Sequence, residues 1–159
     1  MEKEEMIQLL KDYKENKAER LIKLKQLKNK RMALKHCDDL ETTITSSTGI
    51  NQDIQSKNKI SNKVLDRIER NDNTRRELEK EIEELETRVK ELTDKTEAVS
   101  DRLEALRYKE KQILSAYYIE GRTYEDIGNN LYLQLFSQTR SEKQVKRIVE
   151  KALDKMLKF

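Results

Sequence analysis

Five polar side chains near the C-terminus have residue types and a spacing suited to nucleic-acid contacts: Lys143, Gln144, Lys146, Arg147 and Lys151. The guanidinium of Arg147 can donate two hydrogen bonds to the edge of guanine, and the amide of Gln144 can pair with adenine. The three lysines are better suited to backbone phosphates. A helix that carried these groups into the major groove would bind DNA. The alternative is an ordinary surface helix, which also exposes Lys and Glu.

The element that must position these side chains is a helix that begins after Ser141. Ser141 and Gln144 have the spacing of a capping box, in which each side chain bonds to the backbone of the other residue. Beyond this box, apolar residues recur every three or four positions and predict a single buried stripe. The stripe comprises Val145, Ile148, Val149, Ala152, Leu153 and Met156.

Two shorter helices are predicted ahead of this one. Residues 108–120 form the first, and Gly121 can adopt the left-handed conformation that closes a helix. Thr123 begins the second, because its hydroxyl can accept a hydrogen bond from the amide of Asp126. The Asp126 carboxylate can bond back to the cap in the same way.

The second of these helices is predicted to turn Ile127 and Leu131 inward. Gly128 lies between them, where the following helix must come close and a larger side chain would push it away. Together the three helices predict a helix-turn-helix DNA-binding domain over residues 103–159.

The motifs of this domain resemble region four of bacterial sigma factors. They are Gly121-Arg-Thr-Tyr124-Glu-Asp-Ile127-Gly, then Ser141-x-x-x-Val145-Lys146 and Lys151-Ala152-Leu153. Among relatives of sigma factors, the match is nearest to the sigma-like late-transcription regulators of phages and prophages, the RinA/ArpU type. The resemblance covers residues 103–157. It implies binding of double-stranded DNA upstream of a promoter, with Lys143, Gln144, Lys146 and Arg147 as contacts and RNA polymerase as a candidate second partner.

The sequence departs from that pattern between the second and third helices. Nine residues separate Leu131 from Ser141, whereas the turn of a helix-turn-helix has about three or four. The extra segment is apolar, since it contains Tyr132, Leu133, Leu135 and Phe136. It either lengthens the preceding helix by two turns or forms a loop that docks on a partner.

The composition of the whole chain argues against one compact core. Charged residues make up 41% and hydrophobic residues 35% of the 159 positions, with no Trp and no Pro, which suits long helices with solvated faces. Charge is segregated: Lys17 to Lys35 contains eight Lys and Arg against one acid, and Glu77 to Glu86 contains six Glu. The basic run could bind phosphates, but cations spread around a helix more often form a solvated face.

A heptad pattern in the second half of residues 1–102 predicts a coiled coil. Ile82, Val89 and Leu103 occupy a positions, and Leu78, Leu85 and Leu92 occupy d positions. We expect helices over about 3–36 and 60–106, separated by a loop over about 38–58 that is rich in Thr, Ser, Asn and Asp. The predicted fold is therefore all-α: a long coiled-coil helical hairpin followed by the C-terminal domain.

Two arrangements of this coiled coil stay open. β-branched a residues with Leu at d favour a parallel dimer, but that dimer would set Glu81 against Glu86 of its partner. This repulsion favours an antiparallel hairpin within one chain. A homodimer of two hairpins would satisfy both signals.

Other classes of protein are disfavoured. No apolar stretch is long enough to cross a membrane, and the N-terminus lacks a signal-peptide core, so we expect a soluble cytoplasmic protein. Cys37 is the only cysteine, and the adjacent His36, Asp38 and Asp39 do not have the spacing of a metal site. With no phosphate-binding loop and no Ser/His/acid set, we expect neither an enzyme nor a cofactor.

The function that these features favour is a sequence-specific DNA-binding transcriptional regulator of phage or prophage type. A phage small terminase subunit that binds packaging DNA is an alternative, although there the DNA module usually precedes the oligomerising helices. A coiled-coil adaptor that binds only protein is a third hypothesis.

Overall fold

The computed structural model describes residues 2–48 and 62–158, with side chains described for 2–37 and 68–158. Its elements are α1 (Lys3–Thr48), α2 (Asn62–Glu104), α3 (Tyr108–Tyr118), α4 (Tyr124–Asp126), a π-helical segment (Ile127–Leu131), α5 (Tyr132–Phe136) and α6 (Glu142–Met156). Within the described ranges there is no strand, and the prediction of an all-α fold is confirmed. None of the described helices has the length and apolarity to span a membrane.

The first helix is longer than the sequence pattern predicts. It ends at Thr48 rather than near residue 36, so the first part of the predicted loop is helical. The physical reason is that Thr, Ser and Asp weaken a helix only slightly, whereas a true breaker, Gly or Pro, is missing until Gly49. Positions 49–58 of the predicted loop lie outside the described residues. At its far end, α2 stops at Glu104, two residues before the expected end.

The two long helices pack against each other as a hairpin, which confirms the intramolecular arrangement. The chain divides into two compact units. We call Leu21–Lys90 the hairpin unit, and Met1–Arg20 together with Glu91–Phe159 the terminal unit. This division differs from the predicted boundary between residues 102 and 103.

The hairpin unit is held by a thin apolar seam and by pairs of opposite charge. Among the side chains described in this unit, the buried apolar ones are Leu27 of α1 and Leu78 and Ile82 of α2. Beside them, Lys30 lies 2.5 Å from Glu81 and Arg31 lies 2.7 Å from Glu86. The basic run of α1 is thus partly paired with the acidic run of α2. The course is antiparallel, because Arg31 meets Glu86 whereas Cys37, farther along α1, accepts a hydrogen bond from Asn71, which lies earlier in α2.

The terminal unit has one continuous core. Met6 and Leu10 near the start of α1 and Val99 and Leu103 near the end of α2 belong to it. The remaining members come from the C-terminal helices and the turn before them: Leu106, Ile113, Leu114, Ala116, Ile127, Tyr132, Val145, Val149, Ala152, Leu153 and Met156. A boundary at residue 102 would cut through this core, because the C-terminal helices need apolar surface from both long helices to be covered.

Candidate nucleic-acid interface

The end of α3 forms as the sequence predicts. Gly121 has a φ of 72°, in the left-handed region that glycine adopts without a steric cost. The N–H of Arg122 donates to the carbonyl of Ala116 at 2.9 Å, which satisfies one of the last free carbonyls of the helix. The chain is thereby reversed and the next helix can begin three residues later.

The predicted cap at Thr123 is confirmed. The amide of Asp126 donates to the Thr123 hydroxyl at 3.2 Å. The carboxylate of Asp126, which we expected to bond back to the cap, is engaged elsewhere. It accepts a hydrogen bond from the Asn130 amide at 2.7 Å and lies 3.6 Å from a guanidinium nitrogen of Arg122.

The middle helix, residues 124–136, contains α4, the π-helical segment and α5 without a break in helical backbone angles. The apolar segment that follows Leu131 therefore extends this helix, by the five residues of α5. That is little more than one turn, rather than the two turns considered above. Ser137, with a φ of 54°, ends the helix in the left-handed conformation.

The π-helical segment changes which side chains reach the core. The N–H of Tyr132 donates to the carbonyl of Ile127, an i to i+5 bond that brings these two residues one turn apart. Both are fully or almost fully buried. Leu131, which α-helical spacing predicted to face inward with Ile127, is only half-buried, because the wider turn gives its place to Tyr132.

Gly128 is the point at which the connection to α6 comes closest to the middle helix. A Cβ atom added there would lie 2.2 Å from the carbonyl oxygen of Arg140 and 3.4 Å from Cγ2 of Val145. The N–H of Arg140 also donates to the carbonyl of Gly128 at 3.0 Å. The predicted close approach is confirmed, and its tightest part is backbone against backbone just before α6.

The last helix, α6, begins with the predicted capping box. The N–H of Ser141 donates to the side-chain oxygen of Gln144 at 3.3 Å. The predicted stripe is buried along its length, apart from Ile148, which is half-buried. Two contacts hold α6 in place: Lys155 lies 2.5 Å from Glu110 of α3, and Lys3 lies 3.1 Å from Asp154.

All five predicted contact residues are exposed on α6: Lys143, Gln144, Lys146, Arg147 and Lys151. Their spacing places them together on the side opposite the buried stripe. In the described part of the chain, the four cations make no ion pair. In this structure the side-chain oxygen of Gln144, which a two-bond contact with adenine would need, accepts the hydrogen bond of the cap.

A cluster that the sequence did not predict lies beside the start of α6. Lys109 of α3 and Arg140 both lie over the ring of Tyr132, at 5.0 and 5.4 Å from its centroid. Lys109 also lies 4.5 Å from the ring centroid of Phe136. Burial would raise the pKa of Tyr132, but hydrogen bonds from the two cations outweigh burial and lower it. The only sequence signal was the four-residue spacing of two aromatic residues ahead of Arg140.

A second aromatic cluster joins α3 to α4. The rings of Tyr117 and Tyr124 are stacked with centroids 4.2 Å apart, and Tyr118 meets Tyr117 edge-on at 4.8 Å. Burial, together with a hydrogen bond to Tyr117, raises the pKa of the Tyr124 hydroxyl well above its ordinary value. The cluster serves as packing that sets α4 against α3.

Comparisons of the chain with protein-family models, with curated proteins and with solved structures found no match. The site can therefore be interpreted only from its own geometry. Among the residues whose side chains are described, no group of three or more His, Cys, Asp or Glu is placed to hold a metal ion. What the described surface offers is an exposed, unpaired row of cations on a firmly seated helix.

Proposed function

We propose that this protein is a sequence-specific DNA-binding transcriptional regulator of phage or prophage type, sigma-factor-like, which acts at promoter DNA in the cytoplasm. The observation that supports it most is the exposed side of α6, whose cations have no acidic partner among the described residues. Some other cations of the terminal unit are matched, as Lys111 is by Glu104 and Lys155 is by Glu110. An unmatched row of cations on one helix is the electrostatic pattern of a phosphate-binding surface.

The side chains divide into two roles in this proposal. Arg147 reads a base edge, because its planar guanidinium can donate two parallel bonds to guanine. Lys143, Lys146 and Lys151 bind backbone phosphates and set the position of α6 on the duplex. Gln144 fixes the first turn of α6 and contacts DNA through its free amide nitrogen.

Two protein partners belong to the proposal. The resemblance to sigma region four adds RNA polymerase. A homodimer forms through the coiled coil, because Leu21, Ile22, Leu24 and Met32 are exposed on α1 and the basic α1 of one copy can pair with the acidic α2 of another. Two copies would present two α6 helices to a palindromic operator.

The experiment is selection of bound duplexes from genomic fragments, followed by titration of the enriched sequence at several salt concentrations. With four to six phosphates neutralised, we expect a log–log slope of about −4 to −5. Arg147→Ala should weaken the enriched site by about 1–3 kcal/mol and relax the preference at one base pair. Lys146→Ala should weaken all duplexes alike and reduce the slope by about one.

Lys80→Gln in the hairpin unit is the matched control, because it removes one exposed cation far along the chain from α6. A slope near zero on every duplex would refute DNA binding and leave the adaptor hypothesis. Tight binding with a ring of many copies in light scattering would instead support the small-terminase alternative.

A further inference from the structure

The cluster around Tyr132 brings together two cations that are far apart in the sequence. Lys109 is the second residue of α3, and Arg140 directly precedes Ser141, the cap residue of α6. Both lie over the ring of Tyr132, at 5.0 and 5.4 Å from its centroid, and both lower the pKa of its hydroxyl. Tyr132 itself is 1% exposed. The ammonium and the guanidinium therefore pack on the same buried ring.

No carboxylate neutralises this pair. Neither Lys109 nor Arg140 makes an ion pair among the described residues. Arg140 donates one weak bond to the side-chain oxygen of Gln138 at 3.4 Å, and its buried Nε has no hydrogen-bond partner within the chain. Two like charges that pack on one ring raise each other's energy, and an anion that contacts both would relieve that repulsion.

The position of the pair relative to α6 is fixed by backbone contacts. Arg140 precedes the cap residue Ser141, and its own N–H is bonded to Gly128. Both cations are half-exposed, so their outer donors can reach a ligand in solvent. Cation–π packing on Tyr132 requires only one of the two cations, whereas the two non-bridging oxygens of a backbone phosphate can accept hydrogen bonds from both.

We propose that Lys109 and Arg140 form a clamp for one DNA backbone phosphate immediately beside α6, with Tyr132 as the positioning residue that holds the two cations in place. This clamp rests on the proposed function. It extends the contact surface from α6 to α3 and to the apolar segment between Leu131 and Ser141. The clamp fixes the position of the duplex backbone beside α6, while the side chains of α6 contact bases in the major groove.

The test uses the full chain with Lys109→Gln, Arg140→Gln and the double variant, titrated on the enriched duplex. Each single variant should lose affinity about tenfold, as expected for one charge-assisted bond, and reduce the salt slope by about one. The double variant should lose little more than either single, because both cations hold the same phosphate. Tyr132→Phe keeps the ring, removes the hydroxyl and should lose several-fold with an unchanged salt slope.

A second measurement identifies the phosphate. Neutral methylphosphonate is placed at one backbone position at a time in the duplex. At one position it should weaken the wild type about tenfold and leave Lys109→Gln unaffected. Circular dichroism checks that each variant is folded, and Lys109→Gln at a half-exposed helix start remains informative if Arg140→Gln does not fold.

The outcomes separate the two proposals. If the wild type binds DNA and Arg147→Ala weakens it, but the Lys109 and Arg140 variants behave like Lys80→Gln, only the clamp is refuted. If additive losses appear at two different methylphosphonate positions, the two cations bind separate phosphates and the clamp is wrong. If the wild type binds no duplex, the clamp and the DNA-binding function both fall.

Discussion

The hairpin unit and the terminal unit are built from the same highly charged chain, yet their interiors differ. In the terminal unit Met6, Ile113 and Leu114 are completely buried. In the hairpin unit Leu21 is 57% exposed and Met32 is 63% exposed. Two helices side by side can cover only the seam between them, whereas several elements that surround a common centre can exclude water from it. The number of covering layers, more than the apolar content, decides how well each unit is buried.

Ion pairs between its two helices also help to hold the hairpin unit together. Two ion pairs that join its helices, Lys30 with Glu81 and Arg31 with Glu86, involve side chains that are about half exposed. Pairs of this kind contribute little free energy in water, but they favour one register over others. The hairpin unit is therefore specified largely by charge and the terminal unit largely by packing, and the following predictions test this contrast from the largest effect to the smallest.

Truncating a core leucine should be far more costly in the terminal unit. We expect Leu114→Ala to lower the free energy of unfolding by about 4 kcal/mol, since it leaves a closed cavity. Leu27→Ala should lower it by about 2 kcal/mol, because water and neighbouring chain can fill the open seam. Denaturant unfolding followed by circular dichroism measures both. Equal losses would contradict the contrast and show that the hairpin seam excludes water as well as the core of the terminal unit does.

A methyl group at Gly128 should be the next most damaging change. Gly128→Ala drives Cβ into the carbonyl of Arg140, and the backbone must shift at a cost of about 2–3 kcal/mol. Gly121→Ala is the matched control, because it meets open space and bears only the strain of its positive φ, about 1 kcal/mol. Thermal melts that rank the two variants in the reverse order would contradict the close approach.

The ion pair between Lys155 and Glu110 should contribute a smaller, pH-dependent amount. The hydrogen bond from Lys155 is the main reason that the pKa of Glu110 lies below its ordinary value of 4.5. A lowered pKa means that this stabilisation is present above the unfolded pKa and is lost as pH falls through the folded pKa. Lys155→Met should cost about 1 kcal/mol at pH 7 and converge with the wild type in acid.

Denaturant unfolding at pH 7 and at pH 3 makes this comparison. Lys151→Met, which removes an exposed cation from the same helix, serves as the control and should change stability little at either pH. A difference between Lys155→Met and wild type that persisted unchanged in acid would show that the pair contributes through packing of the lysine stem alone.

The smallest effect is expected from the ion pairs of the hairpin unit. The double variant Glu81→Gln with Glu86→Gln should lower the free energy of unfolding by about 0.5 kcal/mol at low salt. This loss should vanish near 1 M salt, where the Debye length is only about 3 Å and the charges are screened from each other. Glu83→Gln, whose carboxylate makes no ion pair among the described residues, is the control. A loss of stability that did not change with salt would show that the glutamates stabilise the unit by packing of their aliphatic carbons and not by charge.

Features that depend on residues three or four positions apart could be predicted from the sequence. The cap at Thr123, the box of Ser141 with Gln144 and the helix end at Gly121 belong to this group, because a local hydrogen bond defines each. The burial of Tyr132 could not be predicted, since no local residue pattern marks an i to i+5 turn. The approach of Lys109 to Arg140 was also inaccessible, because it depends on how three helices pack. The long α1 was missed because weak helix formers were treated as helix breakers.

The π-helical segment makes this surface sensitive to chain length as well as to residue type. The wider turn accommodates one extra residue and keeps Tyr132 one turn from Ile127, although five positions separate them. Deleting the exposed Asn129 would make that bond an ordinary i to i+4 bond and leave Tyr132 on the same face of the helix. Inserting one residue there would instead rotate Tyr132 by about 100°, away from Lys109 and Arg140, and would take the cluster apart while every one of its side chains stayed in the protein.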